Sequence, residues 1–309
     1  SGDKQTLLSN LEKNQDVKNL LLNESPWVLE AKSETEMKQR LSTLFDVNDL
    51  QGKSSAWFDK LMEFRLESGA YSWFKGMHPS QHTTLFVLDN FGRLRKAGIV
   101  NDDLLKKAGY TASLNYLDLE LQRSFEAMKR YDKDYKKHAH VGMYELYLFQ
   151  VHSLFPEVKV AKKAQESYDF YYGLLKSQWK DLSLGGKAMA AIALYRGGDK
   201  SLAQTVIESL REFSTTTDEM GMFWQKNVSG YLWQDAAIST HTRIMEAFET
   251  ADPKREEQDE MRLWLLSQKR TQNWDNIIAN VDALNALLLS GSDWLSTDNY
   301  VTIKMGDEV

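Results

Sequence analysis

Apolar residues recur at three- and four-residue intervals through most of the chain, the spacing that places them on one face of a helix. Leu114, Leu117, Leu121, Phe125 and Met128 form one such stripe. Val141, Tyr144, Leu148, Val151 and Phe155 form a second, and Val160, Ala164, Tyr168, Tyr171 and Leu175 a third. The spacing returns in Leu202, Val206, Leu210 and Phe213, and in Ile277, Val281, Leu284 and Leu288, while the run from Ala188 to Ala193 is small enough for close helix contact. Each stripe predicts a helix with one buried side. No interior run alternates apolar and polar residues as a half-buried strand would. Only Tyr300 to Met305 alternates, which predicts a helical domain over residues 1–296 and a tail, 297–309, that begins a strand of a following domain.

The punctuation agrees with helices. Pro26, Pro79, Pro156 and Pro253 each fall near an apparent helix boundary, where a fixed φ and a missing N–H are tolerated. Ser33-Glu34-Thr35-Glu36 reads as a capping box, Asn101 as a cap before Asp102 and Asp103, and Asp252-Pro253 as a cap before a first-turn proline. Gly185-Gly186 and Gly197-Gly198 bracket a helix as its two ends. The count is about eleven or twelve helices, whose short connections make successive helices antiparallel neighbours.

An internal echo groups these helices. Gly69-Ala70-Tyr71-Ser72-Trp73 leads to Thr83-Thr84 and an apolar helix. Gly221-Met222-Phe223-Trp224 leads through Tyr231 and Trp233 to Ser239-Thr240, and Gln272-Asn273-Trp274 leads to Ile278-Ala279. Helical hairpins that begin at aromatic turns predict an all-α fold of the α/α-toroid kind, an inner ring of helices wrapped by an outer one. A tetratricopeptide array would need a regular period of about 34 residues, which the chain lacks.

Composition narrows function more than fold. With 309 residues, 42% hydrophobic and 27% charged, the chain has the balance of a folded domain. Its net charge of −6 gives no reason to expect nucleic acid or an anionic lipid surface as partner. There is no cysteine, which removes disulfides, thiolate zinc sites and a cysteine nucleophile together. No window approaches the roughly 20 apolar residues of a membrane span.

Candidate chemistry is sparse. His78 and His82 are four apart, the spacing of a paired metal site, but Pro79 intervenes and no glutamate completes an H-E-x-x-H pattern, so a polar helix start is the better reading. His138 and His140 follow the basic run Lys133 to Lys137 and read as a solvated helix end. Trp73, Trp224, Trp233 and Trp274 stand at the hairpin starts, where they either pack or line one mouth of the toroid. Asp235 and Glu246 lie near two of them and would be the acid and base of an α/α-toroid glycoside hydrolase, the enzyme alternative. No G-x-S-x-G elbow or glycine-rich phosphate loop occurs, and Leu117-Asp118-Leu119-Glu120 is neither a prenyltransferase nor a terpene-cyclase motif. No catalytic residue, metal ligand or cofactor is assigned. Trp73, His78, His82, Trp224, Trp233 and Trp274 remain as a candidate mouth or partner surface.

One resemblance joins these features. Residues 69–88, GAYSWFKGMHPSQHTTLFVL, are similar to the segment of alpha-2-macroglobulin and complement thioester domains where a Gly-aromatic turn precedes a proline, small polar residues and a helix start. GMFWQKNVSGYLWQDAAISTHTRIMEAF and RTQNWDNIIANVDALNALLLSGS resemble that family's last two hairpins, and NESPWVLEAKSETEMKQRLSTLFDVNDL resembles its large bacterial envelope members. Together these segments cover most of residues 10 to 295. The resemblance implies an α/α toroid within a longer periplasmic or envelope polypeptide, partnered by that polypeptide's other domains and by proteases it traps. It also implies a Cys-Gln thioester, which a chain without cysteine does not contain. Either the thioester lies upstream, or this member acts without a covalent bond. A scaffold for protein partners is the third possibility.

Overall fold

The computed structural model describes residues 47–229, 236–271 and 276–289. The chain divides into two compact units, Asp59–Ala286 and a second made of Ser1–Phe58 with Leu287–Val309. Of the second unit, the described residues are the start of α1 (Val47–Met62) and the end of α12 (Ile277–Leu289). The boundary at residue 296, the Ser33 capping box and the run Tyr300 to Met305 lie outside the described residues.

The protein is all-α. After α1 come α2 (Gln81–Lys96), α3 (Asp102–Ala108), α4 (Tyr110–Tyr131), the single turn α5 (Tyr135–His138) and α6 (Met143–Ser153). They are followed by α7 (Gln165–Gln178), α8 (Leu184–Arg196), α9 (Lys200–Glu212), α10 (Ala237–Ala251), α11 (Arg255–Thr271) and α12. The predicted stripes do the packing. Leu114, Leu117, Leu121 and Phe125 of α4, Leu148 and Val151 of α6, and Val206 and Leu210 of α9 are all buried. The run Ala188 to Leu194 is buried on every side, and its helix, α8, packs against α6, α9 and α10 at once. Small side chains let three neighbours approach one axis, which a leucine-rich helix would hold apart.

Four details depart from the sequence reading. Gly221-Met222-Phe223 is a strand, β2, paired antiparallel with β1 (Thr215–Thr217), and β2 lies on α11. Three residues per strand are too few for alternation to register. Asp252 does not cap α11, which starts at Arg255; it is the C-cap residue of α10, and its carboxylate is taken by Arg211 at 2.7 Å. Phe213 is exposed at the end of α9, with Lys187 Nζ 5.7 Å above its ring. Finally, α12 buries Ala279, Asp282 and Ala283 and leaves Ile277 80% exposed. Leu287 is buried with them, so small residues, one leucine and an acid face inward there in place of the predicted stripe.

The segment before α2 is tied down by backbone bonds. Tyr71 bridges to both Arg65 and Ser80, its N–H donates to Thr84 Oγ1 at 2.9 Å, and its buried hydroxyl donates to the Ala108 carbonyl at 3.0 Å. Burial pushes that phenol up to about 12. Gly69 turns this segment with φ +88, and a Cβ there would sit 2.6 Å from the Ala112 carbonyl carbon in α4. Both the left-handed φ and the contact exclude a side chain. Gly69→Ala is therefore expected to lower stability by about 2 kcal/mol, read as a drop in the urea midpoint with an unchanged slope.

Candidate functional site

Helices α2, α6, α8 and α10 pack in that succession. The first two turns of each, together with the first two turns of α12, line a single cavity of about 460 Å³. The five helices thus begin at one end of the unit, and the cavity is their common mouth. α2 contributes Gln81, His82, Leu85 and Phe86; α6 contributes Met143, Tyr144 and Tyr147. α8 and its cap contribute Ser183, Gly185 and Met189, α10 contributes Ser239, Thr240 and Arg243, and α12 contributes Ile278 and Asp282.

Three of these helix starts carry a side-chain cap of the ordinary kind, one of them α12, where Asn276 Oδ1 accepts from the Ala279 N–H at 2.9 Å. Ser80 Oγ accepts from the Thr83 N–H at 3.1 Å before α2, and Ser183 Oγ accepts from the Gly186 N–H at 3.2 Å before α8. α10 starts after Ala236, which has no side chain able to cap. The first turns of α2, α8, α10 and α12 hold no acidic residue. Glu145, in the first turn of α6, folds back to accept from the Gly142 N–H at 2.9 Å. The positive ends of four helix dipoles therefore reach the cavity without an acid of their own first turn beside them.

Beside the cavity, a cluster of charged side chains joins the helices. Arg93 forks onto Asp89 of its own helix at 3.1 and 3.2 Å. It also lies 3.1 Å from Glu246 Oε2 on α10 and 3.9 Å from Asp282 Oδ1 on α12. The Glu246 contact is too oblique to count as a hydrogen bond and acts as a charge pair. Arg196 of α8 donates to the other Glu246 oxygen at 3.1 Å. Arg243 donates to Gln150 at 2.6 Å, lies 3.6 Å from Asp89, and stacks its guanidinium 5.0 Å from the Tyr147 ring. The Tyr147 hydroxyl donates to Asp89 at 3.0 Å.

Three arginines face three carboxylates, so the buried charges balance. Each group feels the balance differently. Burial alone would raise the Glu246 carboxyl, but the guanidinium groups of Arg93, Arg196 and Arg243 outweigh it and pull it down to about 2. Burial raises Asp282, with Arg93 and Arg243 opposing. Burial also raises Tyr147 well above the usual phenol range. On α12, Asp282 shares its inward face with Ala279, Ala283 and Leu287, and Ile277 lies on the exposed side.

The sequence candidates separate clearly. Trp73 and His82 come together, their rings stacked with centroids 6.2 Å apart, and His82 meets Tyr147 at 6.4 Å. Burial lowers the His82 pKa, which favours the neutral ring at the cavity wall. His78 is exposed, in the loop before α2. Trp224 is 2% exposed, donates to the Leu210 carbonyl at 2.8 Å and packs edge-on against His241 and Phe248, so it belongs to the core and not to the mouth. Trp233, Trp274 and Asp235 lie outside the described residues. His138 is exposed and pairs with Asp132 at 2.7 Å. Among the described residues no cluster of histidine, aspartate and glutamate is placed to hold a metal.

Sequence reasoning missed Asp89, Arg93, Tyr147, Arg243 and Asp282, the residues that build the site. A signal did exist. Asp89 and Arg93 sit among Leu85, Leu88 and Phe91, and Asp282 sits between Ala279 and Ala283, charges on otherwise apolar helix faces. The chain matches no protein-family model and no curated protein.

Proposed function

We propose that this chain is the helical module of a larger alpha-2-macroglobulin-like protein of the cell envelope or periplasm, contributing to protease trapping by shape and contact. Its partners are the other domains of that polypeptide and the proteases it holds. The observation that carries this reading is the order of packing. α2, α6, α8 and α10 follow one another as neighbours, while α4, α7, α9 and α11 lie against them as a second set. The Arg93–Asp282 contact ties α12 back to α2. That succession is what an inner and an outer ring of an α/α toroid require, and it accords with the sequence segments that resemble the family.

The glycoside hydrolase alternative is weaker. Its proton donor would have to be Glu246 or Asp235. Glu246, held down to about 2 by its arginines, is ionised wherever such an enzyme works. A scaffold role draws support from Trp73, Phe74 and Met77, which are exposed in the loop before α2. No helix among the described residues is long and apolar enough to cross a membrane.

The test uses the natural full-length protein mixed with a broad-specificity endopeptidase and separated by size. Trapping predicts that the protease co-elutes with the cleaved protein, keeps activity on a small peptide substrate and loses it on a large protein substrate. A protease that elutes free, with both activities intact, would overturn the reading.

A further inference from the structure

We propose that the mouth cavity is a binding site for the carboxyl-terminal end of a hydrophobic peptide. The volume of about 460 Å³ falls within the range of sites that enclose small ligands. Its walls have two characters. Leu85, Phe86, Met143, Met189 and Ile278 offer apolar surface for side chains. Gln81, Ser183, Ser239 and Thr240 offer the hydrogen-bonding groups that peptide amides need and an alkyl chain does not.

The sign of the ligand's charge follows from the electrostatics. Four helices point dipole ends into the space with no first-turn acid, and at the start of α10, among the described residues, only the Ala237 N–H is taken by a side chain outside the helix, Ser229 Oγ at 3.2 Å. Arg243 stands in the wall with its nearest carboxylate, Asp89, at 3.6 Å, longer than the Arg93–Asp89 fork at 3.1 Å. The one acid in the wall, Asp282, is offset by Arg93 at 3.9 Å. The buried ion pairs cancel, which leaves the helix ends as the net field. That field favours a carboxylate over an amine or a neutral end.

The direction of the chain follows from the rim. Trp73 is 50% exposed and stacks on His82, a wall residue, and Phe74 and Met77 are exposed in the same loop before α2. A peptide whose last residues fill the cavity would keep burying apolar side chains on these three. The site stands on the cavity itself and does not depend on the protease-trap reading.

The experiment titrates the 309-residue chain with N-acetyl-leucyl-phenylalanine as the free acid, its carboxamide, and leucyl-phenylalaninamide as an amine, followed by calorimetry. The free acid is expected to bind about tenfold more tightly than the amide, the weight of one charge-assisted contact, and the amine weakest. Two variants separate site from fold. Gly185→Leu fills the space without backbone strain, since a Cβ there meets only the Thr240 side chain at 3.6 Å, and should abolish binding at an unchanged melting temperature. Arg243→Gln leaves the cluster one negative charge in excess, which opposes the helix-end field, and should weaken the preference for acid over amide. Equal binding of acid and amide, preference for the amine, full binding to Gly185→Leu, or no binding at millimolar concentration would each overturn the proposal. Decanoate binding as tightly as the peptide acid would overturn it too, in favour of a lipid-type site.

Discussion

Replacing Arg93 by methionine is expected to cost about 3–5 kcal/mol of folding stability, because it removes the shared partner of three buried carboxylates. Arg93 is itself buried, as are Asp89 and Asp282, and water cannot take its place. Burial opposes its charge, yet Asp89, Glu246 and Asp282 together hold its pKa well above the ordinary arginine value. Without it, Asp89 keeps the Tyr147 hydroxyl and the distant Arg243, Glu246 keeps Arg196, and Asp282 loses the cation 3.9 Å away. Methionine fills much of the volume, so the loss reports charge and not a cavity. Arg93→Lys should fall between, since an ammonium supplies the charge but not the fork that meets both Asp89 oxygens. Urea unfolding followed by circular dichroism measures both variants. A loss below about 1 kcal/mol for Arg93→Met would mean the cluster is only a surface-type network.

The second large effect appears on acidification. His241 is completely buried, stacks on Trp264 with centroids 4.1 Å apart and meets Trp224 edge-on at 5.7 Å. Its Nε2 lies 2.9 Å from the Met261 carbonyl oxygen, and Nδ1 has no partner. The neutral ring therefore carries its proton on Nε2. Burial drives the pKa down to about 4, only partly offset by the carbonyl. The sign follows from proton counts. Above pH 6.5 the ring is neutral in both the folded and the unfolded chain, and stability does not depend on it. Between about 6.5 and 4 the unfolded chain binds a proton that the folded one refuses, so stability falls as pH falls, by about 3 kcal/mol in all. Below about 4 the loss levels off. His241→Phe removes this titration, so the difference in stability between the two proteins should narrow by that amount from pH 7 to pH 4. Carboxylates that titrate in the same window cancel in the difference. Parallel stability curves for the two proteins would show that the buried ring does not control this slope.

Much of the fold was legible in the sequence because burial and helical period leave the same mark. The stripes of α4, α6, α7 and α9, the small-residue helix α8, and the Asn101 cap, whose Oδ1 accepts from the Leu104 N–H at 2.9 Å, need only neighbours three or four residues away. The candidate site was legible in part. Trp73 and His82 stand beside the cavity, brought there by the turn that the Gly-aromatic motif marks. The same motif misled at Trp224, since it is a turn before α2, where Trp73 stays exposed, but the strand β2 before α10, after which the tryptophan enters the core.

The amino-acid sequence by itself determined that the chain is helical, which faces of most helices are buried, and that no cysteine chemistry is available to it. The tertiary structure decided which charges meet. Asp89, Tyr147, Arg243 and Asp282 belong to four different helices, and no local period relates them. Their attraction in a low-dielectric interior depends on distances that exist only after the helices pack. Packing also departed from a local pattern: the aliphatic stripe of α12 predicted Ile277 inside, and the face that packs is Ala279, Asp282, Ala283 and Leu287. The cavity is likewise a product of five helix starts meeting at one end, which packing creates and sequence spacing does not encode.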